Sequence, residues 1–480
     1  MDRRPVPDTS LELSGRELRR LVDLAMDRIA PHLDSLAAQP ASHSEDGAAA
    51  ARAVIEPLPE VGVAPEGILD ELFERHLRTT YNTASPGCLA YIPGGGLPHA
   101  AVADLIADAV NRYVGVWIAA PALAQIEATV VRWFTGIVGY GAEAGGFLTT
   151  GGSLANWSAL VTARRCRLPA DFLRATIYTS SQAHHSIAKA AVLAGFPPES
   201  VREIDVDAEF RVRLDRLEEA IAGDRAAGRV PFALVGHAGT VNTGAVDDLA
   251  ALADLAAREN LWLHVDAAYG GFFLLTARDR AAMGGIERAD SITLDPHKGL
   301  FLPYGTGCLL ARRRADLERA FGTRGAYMPE MQRDPEFVDF CQISPELSRD
   351  FRGLRLWLPI KMHGIGPFRR NLDEKLDLAR WAAAELHRLD AEIPDRLEIV
   401  AAPQLSILAF RLARPGLSEA ELTALNERLR TRINAGKRVF LTPTTLDGRH
   451  VIRICVLHFR THRDRMEECL AAIREGVREV

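Results

Sequence analysis

Between about residue 100 and residue 312 the chain alternates short apolar, β-rich runs with amphipathic helical segments. The runs include ATIYTS (175–180), PFALVGH (231–237), LWLHVD (261–266), SITLD (291–295) and GCLLAR (307–312). Ahead of the second run lies LDRLEEAI, where Leu214, Leu217 and Ile221 recur at helical spacing. Strands separated by helices of this length need right-handed crossovers, so an α/β fold with a mostly parallel central sheet is expected. The rhythm differs on either side of this region. Residues 1–97 read as a helical arm interrupted by the polar, small-residue stretch AQPASHSEDGAAAA, residues 98–372 as a large domain, and residues 373–480 as an α+β small domain. In the small domain LDEKLDLARWAAAELHRL reads as helix and LEIVAA, LSILAF and HVIRICVL as strands, while Met466, Cys469, Leu470, Ile473 and Val477 share one face of the last helix. A chain of 480 residues also exceeds the ~250–300 that one core accommodates.

Charge narrows the partners. A formal net charge of −6 argues against nucleic acid and anionic membrane surfaces, and no apolar run approaches the length needed to cross a bilayer, so a small molecule is the expected ligand. The amino-terminal MDRRPVPDTSLELSGRELRR lacks the continuous apolar stretch of a signal peptide, which points to the cytoplasm. Cys88, Cys166, Cys308, Cys341, Cys455 and Cys469 lie far apart, with no Cys/His cluster at metal-ligand spacing, so no metal is expected. Positive charge rests almost wholly on arginine. Any chemistry that needs a deprotonable amine has five candidates: Lys189, Lys298, Lys361, Lys375 and Lys437.

Four segments carry possible chemistry. GGFLTTGGSLANWSAL (145–160) places Gly151, Gly152 and Ser153 at the start of a helix, either as a phosphate cradle or as a turn with an ordinary serine cap. Asp266 follows a strand-like run, where open α/β sheets bind ligands; it can pair with a protonated ring nitrogen or merely cap the next element. Lys298, beside His297, also follows a strand, and burial next to a cation would lower its amine pKa towards a nucleophile. Lys189 and Lys375 fall in helical contexts and read as surface charges. His184 and His185 open a helix after a strand, a place where capping or packing is the plainer role.

The ordered set TTGGS (149–153), QAHHS (182–186), HVDAAYGG (264–271) and DPHKG (295–299) resembles the group II decarboxylases that depend on pyridoxal 5′-phosphate (PLP), whose best-known members act on aromatic amino acids. The resemblance runs from about residue 20 to the carboxyl terminus and includes ASPGCLAYIP (84–93) and ELSRDFRGLRLW (346–357). It implies the fold-type I architecture, a homodimer with the active site at the subunit interface, and decarboxylation of an L-amino acid. By the same resemblance Lys298 carries PLP as a Schiff base, Asp266 holds the pyridine nitrogen protonated, and His184 stacks on the ring. Gly152, Ser153 and His297 hold the phosphate, Ala268 packs under the ring, and Thr240 lies near the cofactor. Asp295 stands where animal members have asparagine, which puts its phosphate contact in doubt. Arg453 matches an arginine that orients the substrate, or else makes an ion pair.

Two departures bear on function. Tyr91 and Pro93 are kept in the segment resembling the substrate pocket, but Thr83, Ile92 and Gly94 replace tryptophan, phenylalanine and threonine, so the aromatic wall is thinner and the run Gly94–Gly96 leaves room for other side chains. The family's loop tyrosine, which reprotonates Cα, falls on Phe340, leaving Tyr327 or His185 as substitute acids. Three readings follow: a decarboxylase making an amine, a decarboxylating oxidase making an aldehyde, and a non-catalytic PLP-binding regulator. The last would need a basic helix-turn-helix segment, and none is visible.

Overall fold

The computed structural model describes residues 11–43, 45–323, 325–326 and 328–480. Seven strands build the central sheet: β1 (Gly145–Thr149), β2 (Ala175–Ser180), β3 (Val201–Ile204), β4 (Val230–His237), β5 (Trp262–Ala267), β6 (Ser291–Leu294) and β7 (Gly307–Ala311). All residues of β1, β2, β5, β6 and β7 are buried, which is why these segments read as continuous apolar runs rather than alternating ones. The strand order is β1-β7-β6-β5-β4-β2-β3. Neighbours from β6 to β3 run parallel, whereas β7 runs antiparallel to both β6 and β1. The reason is the connection: between β6 and β7 only the one-turn helix Pro296–Gly299 fits, too little for a parallel crossover. The carboxyl ends of β1, β2, β4, β5 and β6 consequently share one edge of the sheet.

The sequence reading takes GGFLT only as the approach to a turn, yet it is β1, and β3 and β10 also escape it. β3 is four residues long at the sheet edge, too short for a periodic signal. A second, antiparallel sheet of order β10-β11-β9-β8 is built from β8 (Arg396–Gln404), β9 (Ile407–Ala413), β10 (Thr442–Leu446) and β11 (Arg449–Cys455). Helices Gly366–Asp390, Glu419–Ala435 and Arg463–Glu479 pack on it, the last burying Met466, Cys469, Ile473 and Val477. Lys375 is no surface charge: its side chain is fully buried, with Nζ donating to the Thr461 carbonyl at 2.6 Å and to Glu374 at 2.8 Å.

Residues 84–97 tie the second sheet to the first. Leu89 exchanges backbone hydrogen bonds with Phe440 and Cys455, and Leu97 N donates to the Phe301 carbonyl at 2.7 Å. The arm is different in kind. Helix Gly15–Ser35 opens with a Ser14/Glu17 capping box but buries none of its residues, and Leu18, Met26, Ile55, Leu58, Val61 and Val63 of the arm are exposed. The six cysteines are free. Among the described residues no helix is long and apolar enough to cross a membrane.

Candidate active site

A cavity of about 430 Å³ opens at the shared carboxyl edge of the strands. It brings together Tyr91, Ile92, Gly152, Ser153, His184, Thr240, Asp266, Ala268, Asp295, His297 and Lys298, which the sequence reading had singled out from six separate segments.

Asp266 sits near the end of β5, in register with His237 at the end of β4. Its Oδ2 accepts from Asn156 Nδ2 at 2.9 Å and its Oδ1 from Ala268 N at 3.1 Å. Burial pushes this carboxyl up, but His237, Lys298, His264 and the Ala268 N–H together hold it below the ordinary carboxylate value. Lys298 lies in the one-turn helix after β6, with Nζ 2.9 Å from Asp295 Oδ2. The Lys298 amine is raised, not lowered as its sequence context suggests. Burial alone would lower this amine, yet the facing Asp295 carboxylate, with Asp266 and Tyr304 behind it, more than reverses that and raises it above an ordinary lysine. His297 donates Nδ1–H to the Thr306 carbonyl at 2.6 Å, and burial lowers its pKa.

Helix Gly152–Arg167 points its amino terminus at the cavity, where its first N–H groups have no intrahelical acceptor. A Cβ at Gly152 would stand 2.9 Å from Asp295 Oδ2 and 3.2 Å from the Ala268 methyl, so any side chain here would press on the Asp295 carboxylate. Thr240 is buried, its hydroxyl 2.9 Å from that of Thr243. His184 Nδ1 meets Ser186 Oγ at 2.8 Å, and His185 is exposed with its ring 4.1 Å from that of His184.

Four expected residues lie elsewhere. Phe340 is fully buried in an apolar cluster with Phe147, Leu309 and Leu317, beneath the Arg349 guanidinium at 4.6 Å, because it opens a short helix packed on β1 rather than sitting on an exposed loop. Arg453 turns inward on β11 and donates to the Tyr91 carbonyl at 2.6 Å, bracing a residue held at φ +54° instead of reaching the cavity. Pro93 and Gly94 are buried behind the lining. A Cβ at Gly94 would stand 2.0 Å from the His297 carbonyl oxygen, so that glycine seats the segment against the Lys298 turn and does not widen a pocket. Tyr327 lies outside the described residues.

The sequence reading missed Asn156, Ser186, His237 and Tyr304. His237 ends a strand as Asp266 nearly does, and Asn156 follows Gly152 by one helical turn, so both signals were present. Tyr304 lies in an irregular turn after Lys298 and gave none.

An amine able to carry an aldehyde covalently, a buried ionised carboxylate suited to a protonated ring nitrogen, and a helix amino terminus suited to a phosphate form the donor set that PLP needs, and the glycine clearance at Gly152 leaves space beside them. Fold and donor set together define the fold-type I class of PLP enzymes. Within that class the chain belongs to the pyridoxal-dependent decarboxylases: residues 63–413 match the pyridoxal-dependent decarboxylase conserved domain. It is 34% identical over 473 residues to the aromatic-L-amino-acid decarboxylase of Bacillus atrophaeus, covering 98% of each chain. It is 32% identical over 428 residues to the L-2,4-diaminobutyrate decarboxylase of Rhizobium meliloti (strain 1021), covering 89% of this chain and 85% of the relative. The crystal structure of Oryza sativa TDC with PLP and tryptamine superposes with a TM-score of 0.92 at 26% identity, covering 98% of this chain and 99% of that one. The protein is therefore a PLP-dependent decarboxylase.

Proposed function

We propose that the chain converts an L-amino acid with an aromatic side chain to CO₂ and the corresponding amine, at the cavity where Lys298 and Asp266 converge. That convergence of an amine and a buried carboxylate at one sheet edge is the observation that carries the reading. Lys298 would hold PLP covalently, Asp266 would face the ring nitrogen, and His184 and Ala268 would flank the ring. Gly152, Ser153 and His297 would receive the phosphate at the helix amino terminus, and Thr240 would line the far wall. When bound, PLP supplies an electron sink for the pair left on Cα as CO₂ departs. The Asp266 carboxyl, held below the ordinary carboxylate value, would keep a proton on a ring nitrogen placed against it. Asp295 keeps the free Lys298 amine protonated, which supplies a proton store within reach of the reacting atoms.

Tyr91, Ile92, Val241 and Tyr304 give the cavity an apolar and aromatic lining, which favours an aromatic side chain over a cationic one. The similarity to a decarboxylase of aromatic amino acids and to a TDC structure holding tryptamine supports the same choice. The burial of Phe340 in a separate cluster of its own chain supports the amine over the aldehyde route. The exposed apolar arm supports a homodimer, in which these side chains would leave water. Incubation of the purified protein with L-tryptophan, L-tyrosine, L-phenylalanine and L-2,4-diaminobutyrate, under air and under argon, tests the reading. Amine and CO₂ from an aromatic substrate in both atmospheres is the expected result; aldehyde and peroxide formed only under air would replace it with the oxidase.

A further inference from the structure

We propose that Asn156 is a positioning residue that fixes His184 as its Nε2–H tautomer, so that His184 presents a hydrogen-bond donor, and no basic nitrogen, to the cavity. The inference deepens the function proposed above and rests on it for its catalytic meaning. Its geometry depends on this chain alone.

A continuous buried chain of hydrogen bonds has fixed donors and acceptors at its ends. Trp262 Nε1 can only donate, and it donates to Ser291 Oγ at 2.9 Å. The Ser291 hydroxyl keeps its own proton free to donate, and His264 Nδ1 lies 2.9 Å away. His264 accepts there and carries its proton on Nε2, 3.1 Å from Asn156 Oδ1, with Thr293 Oγ1 farther off at 3.5 Å. Burial lowers His264 to about 4, so it is neutral and holds only that one ring proton. At the other end Asp266 can only accept. It therefore takes one N–H of the Asn156 amide at 2.9 Å, which orients the amide independently and in agreement with His264. The second N–H of that amide donates to Ser186 Oγ at 2.9 Å. Ser186, accepting from Asn156, directs its hydroxyl proton to His184 Nδ1 at 2.8 Å, and the Ser186 backbone N–H also points at Nδ1, at 3.2 Å. With Nδ1 an acceptor, the ring proton of neutral His184 rests on Nε2, away from Ser186. Burial disfavours the imidazolium, against the pull of Asp266 and Asp295 and with the push of His185 and Lys298. One buried amide thus joins the carboxylate assigned to the ring nitrogen with the imidazole assigned to the ring face.

Holoenzyme labelled with nitrogen-15 in histidine decides this by two-bond correlation spectra of the ring nitrogens, with His184 and His264 identified by their loss in His184→Gln and His264→Gln. Both rings should be neutral with the proton on Nε2 across about pH 6–8. A proton on Nδ1 of His184, or an imidazolium there in that range, would overturn the proposal, and this measurement needs no variant of Asn156. Asn156→Asp supplies the second arm. The new carboxyl faces Asp266 Oδ2 at 2.9 Å, so the two share one proton and the N–H that held Ser186 Oγ is lost. Ser186 Oγ is then free to accept from His184, whose single Nε2–H form should give way to a measurable Nδ1–H fraction, with kcat falling about tenfold or more. An unchanged His184 tautomer in a folded Asn156→Asp protein would refute the role of Asn156. If instead the protein took up no PLP, the function proposed above would fail, while the tautomer of His184 would still be readable in the same sample.

Discussion

Lys298 and Asp295 face each other at 2.9 Å, and that contact governs how readily the lysine amine becomes a nucleophile. Its pKa is raised by Asp295, so the free-amine fraction is small at neutral pH and grows as pH climbs. Replacing Asp295 with Asn removes the larger of the two carboxylate influences on the amine and leaves only Asp266 and Tyr304 to oppose burial, so the amine should deprotonate at lower pH. Stopped-flow absorbance should then find covalent capture of PLP by the cofactor-free Asp295→Asn protein extending to more acid pH than in wild type; a shift to more alkaline pH would contradict the assignment. Gly152→Val should bind PLP at least tenfold more weakly, because its Cβ would meet Asp295 and Ala268, and dialysis followed by cofactor assay measures the loss. Asp266→Asn should keep measurable cofactor but lose about 10²–10⁴-fold in kcat, the range for removing a positioned acid–base partner. Lys298 and Asp266 were legible because each follows an apolar run. The raised amine was not, since nothing in linear order says that the Asp295 side chain folds back on Lys298 and outweighs burial.

At the scale of elements, what the sequence disclosed was the strands that stand out as short buried apolar runs between helical segments. It did not disclose β1, a glycine-containing strand that merges with the turn after it. Nor did it disclose the antiparallel course of β7, which follows from the shortness of the connection that carries Lys298. Phe340 lies apart from the cavity of its own chain. The match placed it on a mobile loop, but the described chain folds it into a helix against β1, under Arg349. Phe340→Tyr would place a hydroxyl among the close-packed apolar side chains of this cluster, at a cost of about 1–3 kcal/mol. A lowered Tm by calorimetry with the product unchanged is therefore expected, and a switch of product on that substitution would return Phe340 to the reacting centre.

For the whole molecule, the division into arm (1–97), large domain (98–372) and small domain (373–480) is a proposal that the two separate sheets support. The arm exposes apolar side chains along most of its length, an arrangement an isolated chain would not keep out of water. Light scattering after size-exclusion chromatography should accordingly give twice the chain mass of 52.5 kDa, and removal of the arm should yield monomer or aggregate. The central claim, that this fold delivers one particular lysine to PLP, is tested most directly by borohydride reduction of the PLP-loaded protein followed by peptide mapping in a mass spectrometer. The account predicts the reduced pyridoxyl group on Lys298 alone of the five lysines. Stable label on Lys189, Lys361, Lys375 or Lys437 instead, or none on any lysine of a protein that releases CO₂ from its substrate, would contradict it.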